Sequence, residues 1–294
     1  MTLPRQAKLL LSLAAISLAS GCIQKTYRFG IGNEERLATL PRTPNLITVG
    51  GDHPRIDSIE RTVQYPRTVF RKWFPPSTPQ ADPTTQRLKA VQTATDYLDD
   101  NGLKGVFVDV REYNPREQWS RLQNNKLVSP FWKYTGGTLY HVGYCVIPQR
   151  AFGMDSYNGF TNTLSINSTS SSTSLLRAGY VKKLYEQRYP GTYIAVNWLP
   201  IMPLFRDSAV ASDVLTYTQV KEKWPLEKDL LPEVYGQLGG EAISQATSFV
   251  PGMPFYFRPL LTGAGKAAGG ATGRVVAKQR EKQLSSTLPA TLIR

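Results

Sequence analysis

Few side chains in this sequence are of the types that hold a metal or attack a carbonyl, and their spacing suits neither task. The 294 residues include two histidines, His53 and His141, and two cysteines, Cys22 and Cys145. A tetrahedral zinc site built on a helix needs two imidazoles one turn apart on one face; these histidines lie in separate segments, in no ligand motif. His141 and Cys145 are close in sequence, but LYHVGYCVI reads as a strand. On a strand their spacing separates them by about 13 Å, too far for a thiol–imidazole nucleophile, and Cys145 is expected as a small buried apolar residue. A Gly-x-Ser-x-Gly elbow, a phosphate loop and a dinucleotide fingerprint are all absent from the sequence. The acids Asp207 and Asp213 remain as a residual acidic site. No catalytic residue, metal ligand or cofactor is assigned.

Cys22 carries a different chemistry. Arg5 and Lys8 precede the apolar run Leu9–Ala19, and Leu18-Ala19-Ser20-Gly21 leads into Cys22. The run is too short to span a bilayer and reads as a signal peptide over residues 1–21. The small residues before the cysteine resemble the lipobox of bacterial lipoproteins, which implies lipidation at Cys22 and a lipid-anchored place in the cell envelope. Ile23 follows the cysteine, and by analogy with enterobacterial sorting this favours the outer membrane, facing the periplasm, over the inner. With Cys22 lipidated, Cys145 has no disulfide partner. The net charge of +13 then points to lipid headgroups or an anionic envelope polymer as the partner. Nucleic acid is excluded by the export signal and by the lack of any recognition motif. Which protein partner it takes, the sequence leaves unknown.

The elements that would position these groups read as α+β, with mixed strands and helices. Residues 22–48 form a polar tether. Leu46–Gly51 is a first strand, and Ser58–Arg71 a strand pair interrupted at Pro66. A proline-rich connector, Trp73–Pro83, follows. Apolar residues at helical spacing predict a helix over Thr84–Asp99, stopped by Asn101-Gly102. Gly105–Tyr113 reads as a strand, Pro115–Asn124 as a helix with proline at its first position, and Gly136–Ile147 as another strand. Thr161–Asn167 is a strand that feeds, through a Ser/Thr cluster, a helix over Ser174–Arg188. Leu176, Tyr180 and Leu184 form its core stripe, with Lys182, Lys183, Glu186 and Arg188 away from it. Further helices are expected over Arg206–Val220 and Leu226–Ser248. The main domain is thus residues 49–250, followed by a Gly/Ala-rich helical segment, 251–278, and a basic disordered tail, 279–294. Gly265, Gly269 and Gly273 recur every fourth residue, a small-residue stripe of the kind that lets helices approach closely. The stretch reads as a packed or peripheral helix, with a flexible tail or a membrane-inserted hairpin as alternatives, and the stripe offers an oligomerisation or membrane-contact element.

Tyr157-Asn158-Gly159-Phe160-Thr161-Asn162-Thr163, with the later Leu199-Pro200-Ile201-Met202-Pro203-Leu204, resembles a family of bacterial lipoproteins of zincin-like, metallopeptidase type. In that family such a strand precedes a helix bearing His-Glu-x-x-His. The resemblance covers residues 152–213. It implies a zincin-like mixed sheet plus helices, and it places Leu176 at the first histidine, Arg177 at the glutamate and Tyr180 at the second histidine. Leucine does not coordinate, and arginine sets a fixed positive charge where a cation would sit. The motif is degenerate, and the implied protein is metal-free and acts by binding or scaffolding. A divergent hydrolase using Asp207, Asp213, Tyr180 or Arg177 without zinc is the enzymatic alternative. Arg177 is also placed to pair with Asp207 or Asp213, a salt bridge in place of the metal.

Overall fold

The structure, a computed structural model, describes residues 27–32, 40–51, 53–54, 56–62, 82–147, 149–248 and 257–287. Cys22, the connector before Asp82 and most of the expected strand pair lie outside these residues. The chain is mixed α and β, mostly helical, with one small four-stranded sheet. Its described residues form two compact units, one within Arg28–Val196 and one from Asn197 onward. The division falls at residue 196, inside the stretch 49–250 read from sequence as one domain.

The Arg28–Val196 unit contains the sheet. Its strands are β1 (Leu46–Val49), β2 (Phe107–Val110), β3 (Ser156–Asn158) and β4 (Thr163–Ile166), in the order β1-β2-β4-β3. The first three in that order run parallel, and β3 closes the edge antiparallel to β4. Helix α1 (Pro83–Asp100) joins β1 to β2. Asp82 caps it by accepting from the Thr84 and Thr85 N–H groups, and Ala90, Val91, Ala94, Tyr97 and Leu98 form its buried stripe. Gly102, at φ +62°, turns the chain out of the helix. Helix α2 (Pro115–Asn124) begins at proline and is capped by Asn114.

Two expected strands are helical. Residues 56–62 form helical turns, not the start of a strand pair. Gly136–Ile147 is also helical: Pro130–Trp132 and a π-helical turn, Lys133–Gly137, run into α3 (Thr138–Val146). Gly137 permits this, because a Cβ there would lie 2.6 Å from the Leu122 side chain of α2. Helix α4 (Ser171–Tyr185), capped by Ser170, packs against α1. It is buried on more faces than its single expected stripe. Lys182, expected toward solvent, is 1% exposed, its Nζ donating to the Arg28 carbonyl at 2.8 Å. The stretch read as a free tether is therefore partly docked: Ile31 is buried, and the Gly30 N–H donates to Asn101. Pro190 does not merely stop α4; it opens α5 (Pro190–Val196).

The second unit is helical: α6 (Met202–Val220), α7 (Trp224–Ser248) and α8 (Phe257–Thr287). Here the glycine stripe acts within the chain. A Cβ on Gly265 would stand 2.6 Å from the Gly239 carbonyl, one on Gly273 would stand 2.5 Å from the Leu231 carbonyl, and one on Gly269 would strike the Tyr235 carbonyl. Helices α7 and α8 thus meet backbone to backbone. Residues 279–287, expected as a disordered tail, continue α8. Among the described residues no helix is long and apolar enough to cross a membrane.

Candidate functional site

The YNGFTNT stretch explains itself as structure. Gly159 has no room for a side chain, since a Cβ would meet Leu184 at 2.6 Å and Ile194 at 2.7 Å. Asn125 of the loop after α2 donates to the Gly159 and Phe160 carbonyls. The Tyr157 hydroxyl donates to Asn162 Oδ1 at 2.6 Å, and Asn162 Nδ2 donates to the Gly105 carbonyl and the Tyr185 hydroxyl. Asn162 holds φ +53°, a left-handed conformation asparagine tolerates. This network fixes β3, β4 and α4 to one another.

On α4 the three motif positions have separate surroundings. Leu176 is in the core, 4% exposed. Tyr180 sets its ring edge-on to Tyr157 of β3, 5.6 Å between centroids. Arg177 is half-buried, its Nε shielded and without a hydrogen-bond partner among the described residues. No group of three or more His, Cys, Asp or Glu side chains gathers as a metal site among the described residues. Asp207 and Asp213, six residues apart on α6, project about 120° apart and do not form one site. Asp207 instead accepts from Arg206 and Gln237, both within its own unit. Its carboxylate is engaged there, whereas the sequence had offered it to Arg177.

The helical state of α3 also revises the Cys145 reading. Cys145 is exposed, and its Sγ lies 3.6 Å from His141 Nε2, one turn away. Burial holds the His141 pKa below its usual value, which disfavours the imidazolium. The thiolate–imidazolium of a nucleophile requires the opposite shift.

Ion pairs also gather at the carboxyl ends of the parallel strands. Pairing continues one residue past β1 and β2: the Gly50 N–H donates to the Val110 carbonyl, and the Arg111 N–H to the Ile166 carbonyl. Gly50 is required, because a Cβ there would strike the Arg111 carbonyl. Arg111 itself adopts φ +52°. Its guanidinium grips Glu60 with both terminal nitrogens, at 2.9 and 2.8 Å. Arg150 is buried; it donates to the Gly51 carbonyl at 2.9 Å and to Asp57 at 2.7 Å, while its Nε has no partner. Burial pushes the Asp57 carboxyl up, but the His53 N–H and the Arg150 and Arg111 charges outweigh it and hold the group below its usual pKa.

Arg87 of α1 joins this group. Burial first, then the Arg111 charge, lower its pKa; Glu60 and Asp155 oppose them and Arg150 adds to them. Its Nε is also shielded and unpartnered. Asp155 accepts from the Asn167 and Ser168 N–H groups, each at 2.7 Å, and from the Ser168 and Ser174 hydroxyls. Ser174 lies one turn before Arg177 on α4, so one carboxylate links the strand-end loop to the helix that carries Arg177. Sequence reading did not find Arg87, Arg111 or Arg150. The single local signal was an arginine directly following the strand GVFVDV, at the strand end where open parallel sheets bind ligands.

No protein-family model matches the chain, and neither does any curated protein or solved structure.

Proposed function

We propose that this is a lipid-anchored cell-envelope protein whose zincin-like domain binds or scaffolds without metal. Lipid on Cys22 holds it to the outer membrane on the periplasmic side, and the domain is presented to anionic headgroups or envelope polymers. The supporting observation is the use to which α4 is put. The positions where a metallopeptidase of this layout carries its ligands and base hold a core leucine, a half-buried arginine and a tyrosine packed on the edge strand. Leucine has no donor atom to offer an ion, and Arg177 repels a cation at short range.

The test is elemental analysis of the purified full chain with thermal melts in the presence and absence of chelator. The expected outcome is no stoichiometric metal and an unchanged melting temperature. One tightly held zinc per chain, with a melt lowered by chelator, would sink the reading.

A further inference from the structure

We propose that the outward face of α8 lies on an anionic lipid surface, its apolar first part entering the headgroup boundary and its basic second part meeting the phosphates. The inference deepens the anchored-protein reading and rests on it only for the nearness of the bilayer. Gly265, Gly269 and Gly273 commit one side of α8 to α7. On the opposite side Phe257, Leu260, Ala264, Ala267, Ala271 and Val275 share an arc of about 80°, and all six are exposed. Phe257, Leu260 and Val275 are 46%, 67% and 55% exposed, large apolar side chains left in water. Lys278 and Lys282 continue the same arc. No acid occurs from Phe257 to Arg280, and Glu281 alone opposes the six basic residues of the helix. Ion pairs with α7 take up Lys266, Arg280 and Glu281, while Arg258, Arg274, Lys278 and Lys282 stand exposed. An apolar face continued by cations is the pattern of a helix that lies in a bilayer interface.

Two observations choose a lipid surface over a second copy of the chain. The first is the reach of the anchor. Cys22 lies five residues before Tyr27, a span of at most about 18 Å. Tyr27 belongs to the same unit as α8, and its ring packs on Tyr217 near the end of α6, 5.6 Å between centroids. Two residues on, Gln219 donates to Glu227 of α7, and Glu227 also pairs with Arg280 of α8. The lipid-bearing segment therefore meets the unit at the end where α8 is basic. The second is charge. Paired α8 helices would desolvate Lys278 and Lys282 on the contact arc without anions to receive them, whereas anionic headgroups supply the anions.

The experiment reconstitutes the purified full chain into vesicles of phosphatidylethanolamine and phosphatidylglycerol. A benzophenone amino acid replaces Ala267 or, as a control, the exposed Gln92 of α1. Photolysis is expected to attach lipid at Ala267's position and not at Gln92's. Lys278→Glu with Lys282→Glu is expected to lower that yield about tenfold. The intact mass of the same sample reports acylation of Cys22 separately. An acylated Cys22 without lipid attached on α8 overturns this proposal and leaves the anchor standing; lipid attached on α8 with an unmodified Cys22 does the reverse. Crosslinking of α8 to a second copy, or equal lipid attachment at the two positions, overturns the proposal. The unsubstituted chain supplies a check that misfolding of a variant cannot obscure. Acetylation of Lys278 and Lys282 by a water-soluble reagent is expected to slow severalfold on these vesicles relative to neutral detergent, and unchanged rates overturn the proposal.

Discussion

At the scale of single residues, the most committed polar contact is the pair Asp109–Arg121. Asp109 lies on β2 and Arg121 on α2, both nearly inaccessible. Arg121 Nη1 reaches the two carboxylate oxygens at 2.9 and 2.8 Å, Gln118 donates to Asp109, and the guanidinium lies 4.3 Å from the Phe107 ring centre. Burial pushes the Asp109 carboxyl above its usual range even against the Arg121 charge, so the pair is held at a desolvation cost. Asp109→Val alone strands a buried cation and is expected to lose about 3–5 kcal/mol in denaturant melts. Adding Arg121→Leu is expected to restore most of that loss, because no charge then remains buried. A double variant as unstable as the single one would contradict this account. None of this pairing was visible in sequence, where Asp109 and Arg121 fell within an expected strand and an expected helix and neither was singled out.

At the scale of elements, legibility followed local signals. Helix α1 was readable from its apolar spacing and from Asn101-Gly102 at its end, and α2 from Asn114-Pro115 at its start; the cap Asp82 and the first residue Pro83 of α1 had been read as part of the connector. Helix α3 was not, because its pairs Tyr140/Tyr144 and His141/Cys145 are four apart, a spacing that shares a face in a strand and in a helix alike. Its β-branched and aromatic residues then favoured the strand reading, yet Leu139, Val142 and Val146 stay exposed. The glycine stripe of α8 was legible as a pattern; its partner, α7, was not. That pairing predicts opposite effects of alanine along one helix. At Gly269 a Cβ strikes the Tyr235 backbone and is expected to cost about 1–3 kcal/mol. At Gly263 it meets nothing within 4 Å and is expected to stabilise by up to about 1 kcal/mol. Thermal melts of Gly269→Ala and Gly263→Ala moving in the same direction would refute the packing account. The helical turns 56–62 give a pH prediction. The Asp57 pKa is lowered from its ordinary 3.8, so its contribution is present above that value and is lost as pH falls through the folded pKa. Asp57→Asn is therefore expected to destabilise at pH 5–7 and to converge with the parent in stronger acid, as followed by melts across that range. A stability gap that persists undiminished in acid would count against this linkage.

At the scale of the whole molecule, sequence supplied the α+β class and the basic character, but not the division at residue 196. It could not, because the passage from α5 into α6 carries prolines and apolar residues without the polar, low-complexity composition of a linker. The strand-end arginines were hidden for a related reason. They lie far apart in the chain and meet only through parallel pairing, which no local period encodes. The division carries its own prediction. The unit Arg28–Val196 is continuous in sequence and holds the whole sheet, together with α1 to α5. Its core includes residues with no exposed surface, among them Tyr97, Leu98, Val108, Leu164, Leu184 and Tyr185. About 170 residues is a length at which a single core suffices for independent stability. Expressed alone, this segment is expected to melt cooperatively and to keep the near-ultraviolet dichroism of packed aromatic rings. Its parallel strands are joined over long stretches of chain, so refolding is expected on the millisecond-to-second scale. A fragment that keeps helical dichroism but loses the aromatic signal and binds hydrophobic dye would behave as a molten globule. Its sheet would then depend on the helices after residue 196, and the two units would be one folding domain.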